Sequence, residues 1–240
     1  MIVEMTSIEW WGVRIDEPVT VITDLLVSCI CFYAFIKIHR HQKDLKLTRY
    51  LKFYFLTMGL ATFLGGIVGH GFLYALPYQG DLPVSPWKLP GWLVSMFSIA
   101  LIERASIEYS RPLIKDHRIF KFFAGLNLLE LITFISITFS TLNFFFVEVH
   151  SAYGLLIVTC GFNGFIYFKT RSRGSKLALI AVAISSISAL VYMNQWGFHR
   201  WFNHFDVSHL FMALSAWYFY QAAIHMKPNL VDSDPRPVFA

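Results

Sequence analysis

A chain of 240 residues that is 56% hydrophobic, 18% aromatic and only 15% charged is too apolar for a soluble globular domain, where about 25% of residues are charged. Its mean hydropathy is +0.53. The formal net charge of +5 comes from basic residues in short loops, so it points to the positive-inside rule of a multi-pass membrane protein and not to nucleic acid.

The first eighteen residues, MIVEMTSIEWWGVRIDEP, carry acidic groups where a cleavable signal peptide has basic ones. The first membrane helix is therefore expected to direct insertion itself. Seven stretches are long and apolar enough to span a bilayer, which takes about 20 residues. They are 18–38, 50–76, 91–110, 119–140, 145–168, 176–195 and 204–226. Their connections are short, and the sequence shows no internal repeat, so residues 1–240 read as a single all-α domain, a seven-transmembrane helix bundle. The loops after spans one, three and five, with the C-terminal tail, hold every Lys and Arg except Arg14, Lys88 and Arg200. This asymmetry puts the N-terminus outside, or in a lumen, and the C-terminus in the cytoplasm. Trp10, Trp11, Trp87, Trp92, Trp196 and Trp201 flank the outer span ends as an interfacial aromatic belt.

Polar residues within such spans are costly, and a function is the first expectation for them. In chain order, Asp16, Glu17 and Asp24 add negative charge to the outer mouth and read as an exposed acidic N-terminus, with a cation site as the alternative. His70 lies near the outer end of span two, in TFLGGIVGHGFLYAL, and Asp81 follows in the outer loop. Glu103 and Arg104 in span three read as a pair, while Glu130 in span four either lines a cavity or bonds to a neighbouring helix. His150 and His199 read as outer and interfacial. Span seven opens with HRWFNHFDVSHLFMAL, which puts His204, Asp206 and His209 on the same side as His70. Asp206 and His209 are three apart and share a helix face; His204 and His209 are five apart and do not. Cys29, Cys31 and Cys160 are odd in number, fall in apolar stretches and fit no disulfide or zinc framework.

Three imidazoles and a carboxylate at a partly wet mouth are a good donor set for zinc. The competing reading is a hydrogen-bonded polar knot that closes the bundle without metal. The set of His70 and Asp81, eleven residues apart, with His209 in the last span, resembles the superfamily of seven-span membrane hydrolases. That group includes the alkaline ceramidases, the adiponectin and progestin receptors and the GPI-lipid remodelling proteins. The resemblance implies zinc held by His70, His209 and either His204 or Asp206, with Asp81 orienting a water or moving its proton. It implies a membrane lipid as substrate or ligand, cleaved at an amide or ester. The chain departs from the pattern at two positions: Gly66 stands four before His70, where the family has serine, and Phe205 four before His209, where it has histidine. These departures favour the alternative of a non-enzymatic receptor or lipid-binding protein. Haem between His70 and His209, or a transporter using Glu130 and Asn163, are the remaining readings.

Overall fold

Alternation of Ile8, Trp10, Val13 and Ile15 around a two-residue turn makes a hairpin before the first span. The computed structural model describes residues 6–42, 45–77, 84–114 and 116–227. In it β1 (Ser7–Trp10) pairs antiparallel with β2 (Val13–Asp16), in a register that sets Trp10 against Val13. Trp11 and Gly12 both have positive φ, 52° and 76°, as a tight hairpin turn needs. The hairpin delivers the chain to Glu17, whose φ is 42° and which directly precedes Pro18. A left-handed residue before proline is a strained one. Its backbone N–H is held by the Thr6 carbonyl at 2.8 Å.

From there the chain is helical. Helix α1 spans Pro18–His41, and α2 spans Lys46–Leu64 and runs on as a π-helical segment, Gly65–Gly71. Helix α3 is Leu89–Ser110 and α4 is His117–Thr141. Helix α5 (Phe145–Ala152) passes through a second π-helical segment, Tyr153–Thr159, into α6 (Cys160–Thr170). Helices α7 (Arg173–Met193) and α8 (His204–His225) complete seven long rods. Five of the rods are long and apolar enough to cross a membrane. The other two, α3 and α8, are diluted by Glu103 and Arg104 and by His204, Asp206 and His209. Large apolar side chains cover the outside of the rods: Ile22, Phe122, Leu129, Phe139 and Phe168 are all exposed. Such a girdle is what an integral, multi-pass membrane protein presents to lipid.

Helix α3 lies against α2, α4, α5 and α6, while α1 packs on α2 and α8, and α8 on α7. Small residues let the last pair approach closely, with Ala178 and Ala181 facing Ala213, Ala216 and Ala223 in one core. Serines tie the same two helices: Ser185 to Ser215 at 2.7 Å and Ser188 to Ser208 at 2.8 Å. The opening of α8 is fixed by a capping box in which Asn203 and Asp206 satisfy each other's backbone N–H. Two clusters of polar side chains result, one where α1, α2 and α8 meet and one among α3, α4 and α5.

Candidate metal centre

Thr20, Thr23 and Asp24 line one face of α1, three and four residues apart, with Glu17 one turn earlier. That face meets His70 from the π-helical end of α2 and His209 from α8. π-helical segments interrupt helices mostly at functional sites. Here the segment turns His70 inward: its Nδ1 lies 2.7 Å from Glu17 Oε2 and its Nε2 lies 4.0 Å from Asp24 Oδ2. His209 reaches the same carboxylate from the other side, with Nε2 3.5 Å from Asp24 Oδ1. Its Nδ1 lies 3.1 Å from Thr23 Oγ1. The two rings are 6.3 Å apart, centre to centre, at 75°.

The hydrogen bonds determine which nitrogens carry protons. Glu17 is a carboxylate and accepts, so His70 Nδ1 donates. Thr23 already gives its one hydroxyl proton to the Thr20 carbonyl, at 3.0 Å, so its oxygen accepts from His209 Nδ1. In the neutral imidazoles both Nε2 atoms are left as lone pairs, and both face the Asp24 carboxylate. Three acceptors facing one another in a mostly buried place repel one another unless a proton or a metal ion lies among them. The gaps of 3.5 and 4.0 Å are too long for hydrogen bonds. Bonds of about 2.0–2.2 Å put tetrahedral ligand atoms roughly 3.3–3.6 Å apart, which the Asp24–His209 gap matches, whereas the Asp24–His70 gap is wider and the ligand atoms of the three residues do not all lie within 4.8 Å of one another. The Nδ1 bonds to Glu17 and Thr23 are the outer contacts that fix tautomer and ring angle in metal-binding histidines.

Of the residues singled out in the sequence, His70 and His209 come together. His204 begins α8 with its ring on Tyr192 and Phe205, at 5.8 and 4.3 Å between centres. Asp206 is buried but both its oxygens are engaged, Oδ1 by the Thr20 hydroxyl at 2.8 Å and Oδ2 by the Asn203 N–H at 2.6 Å. Asp81 lies outside the described residues. The acidic N-terminus is not exposed as expected: Asp24 is 4% and Asp16 2% accessible. Asp16 is held by Arg14 at 2.7 Å, and Asp24, for which a cation was the lesser of the two readings in the sequence, is the carboxylate that lies beside both histidines. The one-sided spacing of Thr20, Thr23 and Asp24 within span one is the signal that points to it. Both departures from the resembled family also acquire a reason here. A Cβ on Gly66 would stand 2.9 Å from Asp24 Cβ, so glycine makes room for α1. Phe205 packs edge-on against His70, 5.4 Å between centres.

Glu17 lies just outside the first span. Its burial pushes its carboxyl pKa up, but the hydrogen bond from His70 and the positive charge of Lys88 act against this, and the net shift is downward. A carboxyl depressed in the folded state stabilises above its unfolded value and loses that contribution as pH falls through the folded one. The grip on His70 is therefore expected to fail in acid, below the ordinary carboxylate range. Glu17→Gln should weaken metal binding about 10–100-fold, as measured by zinc titration at about pH 7.

The second cluster joins Glu103, Glu130 and His150, whose ligand atoms lie within 4.8 Å of one another, the one such group of three or more among the described residues. Here too expectation is corrected. Glu103 and Arg104 do not pair: Glu103 Oε2 accepts from Asn127 at 3.1 Å, and Arg104 donates to the Ala124 carbonyl. His150 is not interfacial but completely buried.

No curated protein and no solved structure matches the chain. Residues 19–228 match a family described as a family of unknown function (DUF6962). The match begins inside α1 and ends just past α8, taking in both polar clusters except Glu17, and the chain belongs to this family.

Proposed function

We propose that this protein is a zinc-dependent membrane hydrolase acting on a lipid amide or ester. All seven rods cross the bilayer in this reading, with the N-terminus outside and the C-terminus cytoplasmic. The sorting of Lys and Arg supports that orientation, and the burial of α3 at the centre of the bundle accounts for its lower hydropathy. The observation that carries the functional reading is the placing of His70 Nε2 and His209 Nε2 beside the two oxygens of one carboxylate, Asp24, at 4.0 and 3.5 Å, with both Nδ1 atoms already committed. Two histidines, one carboxylate and an open position make up a catalytic zinc set.

Zinc at such a site supplies Lewis acidity, which brings the pKa of a water to about 7. His70 and His209 bind as neutral imidazoles, and Asp24 provides the negative charge that offsets half of the ion's. Glu17 and Thr23 hold the rings at a fixed angle, so the site is organised before substrate arrives. Asp206 ties α8 to α1 through Thr20 and keeps His209 in register. Asp81, which lies outside the described residues, keeps the role of proton carrier only as what the resemblance implies. The mouth lies at the outer end of the lipid-facing bundle, so acyl chains stay in the bilayer while the polar linkage reaches the site.

Purified protein is expected to hold zinc bound by His70 and His209, and either His70→Ala or His209→Ala should remove it with helix content unchanged. The wild type should release fatty acid from a panel of ceramides and glycerolipids, and the two variants should not. Zinc occupancy without turnover on that panel would replace the hydrolase with a metal-stabilised receptor or lipid-binding protein, the reading that Phe205 against His70 favours. Well-folded wild type without zinc at these residues would end both.

A further inference from the structure

We propose that Glu103, Glu130 and His150 form a second divalent-metal site, independent of the first and buried between α3, α4 and α5. Each comes from a different helix, yet Glu130 Oε1 and His150 Nε2 are 3.5 Å apart, and the three ligand atoms lie within 4.8 Å of one another. Glu103 and His150 are wholly inaccessible and Glu130 nearly so. Counting about 1.5 Å per residue from the starts of α3 and α4, Glu103 and Glu130 sit roughly 20 Å along their helices, with about 10 and 16 Å of helix beyond them.

Buried polar groups are normally satisfied, and these are not. Glu103 Oε1, both oxygens of Glu130 and both ring nitrogens of His150 have no hydrogen-bond partner. Protonated carboxyls would be expected to donate to each other or to the imidazole, and no such bond is present. Arg104, the cation next in sequence to Glu103, is engaged by the Ala124 carbonyl. A divalent ion would take up one atom from each of the three residues, leaving one ring nitrogen of His150 outside the set, and balances two carboxylates with one charge. Asn127 gives its amide to Glu103 Oε2 at 3.1 Å, which leaves Oε1 as the free donor atom, as outer contacts do around metals.

The backbone is shaped to admit the carboxylate. The π-helical segment Tyr153–Thr159 begins three residues after His150 and presents Gly154 to α3, where a Cβ would collide with Glu103 Oε1 and with Ile99. A cleft lined by Phe123, Leu126, Asn127, Tyr153 and Phe162 lies against the Glu103 side chain. Two carboxylates and one imidazole suit a borderline first-row ion such as zinc, manganese or cobalt.

The test uses full-length protein in lipid nanodiscs, stripped of metal, reloaded with Zn2+ alone and desalted before metal analysis. Asp24→Asn serves as the background, because it disables the outer site. This variant is expected to retain about one zinc per chain, and adding Glu130→Gln or His150→Gln should weaken binding at least about ten-fold. Both substitutions are close in size and leave no new charge in the interior, so the metal-free protein should remain folded while the zinc-induced rise in Tm disappears. Cobalt loaded into the Asp24→Asn protein should give visible d–d bands that Glu130→Gln removes. A folded Asp24→Asn protein that binds no zinc, or zinc that survives both inner substitutions, would overturn the proposal. A wild type whose zinc is lost on Glu130→Gln and kept on His70→Ala would leave this site standing while the outer one falls.

Discussion

Replacing Asp24 with asparagine is expected to lower zinc affinity at the outer site by at least about 100-fold, and to abolish lipid hydrolysis with it. Losing an outer contact to a ligand already costs about 10–100-fold, and here the ligand loses its charge. Asparagine keeps the size of the side chain, and α1 retains Ser28 bonded to the Gly59 carbonyl at 2.6 Å, so the helix should stay in place. The contrast with the last helix makes the result specific. His204→Ala should leave zinc affinity nearly unchanged, because that ring stacks on Tyr192 and Phe205. Asp206→Asn should cost about 1 kcal/mol through the weakened cap and retain most of the zinc. The reverse ranking, with Asp206 or His204 essential and Asp24 dispensable, would restore the ligand set that the sequence alone suggests. Calorimetric zinc titration of the four proteins decides the matter.

How much of this was legible in the sequence differs from element to element. The helices were, because runs of apolar residues leave little choice in a bilayer: 117–141 appears where 119–140 was expected, and 204–225 where 204–226 was. The hairpin at Ser7–Asp16 was written in the alternation of Ile8, Trp10, Val13 and Ile15, but so short a pattern beside two tryptophans reads equally well as an interfacial belt. His70 and His209 were visible because an ionisable side chain in an apolar run stands out. Asp24 stands out equally, yet its meaning depends on the face it occupies, and only with Thr20 and Thr23 does that face become polar. The π-helical segments could not be read at all. A shift from four- to five-residue hydrogen bonding changes which way His70 and Gly154 point without changing composition. The second cluster was hidden for a related reason: Glu103, Glu130 and His150 come from three helices, and each alone has an ordinary explanation.

Gly66→Ser would restore the residue that the resembled hydrolases carry four positions before the span-two histidine, and it is expected to damage this protein. A Cβ there would stand 2.9 Å from Asp24 Cβ and 3.3 Å from the Val21 carbonyl, and neither atom is the free end of a flexible chain. Forcing a side chain into such a contact costs about 1–3 kcal/mol. It also pushes α1 away from α2, which carries Asp24 off the line between His70 and His209. Both thermal stability and zinc affinity should therefore fall together. The double variant Asp24→Gly with Gly66→Ser tests the cause. Removing the Asp24 side chain opens the space, so stability should recover relative to Gly66→Ser, with a coupling of about 0.5–3 kcal/mol in the cycle, while zinc stays lost. Additive effects of the two changes would show that Gly66 is required for some other reason. Recovery of stability without zinc would mean that this chain uses an aspartate from its first helix together with a glycine in its second, where the resembled proteins use a serine, and that the two positions can only change together.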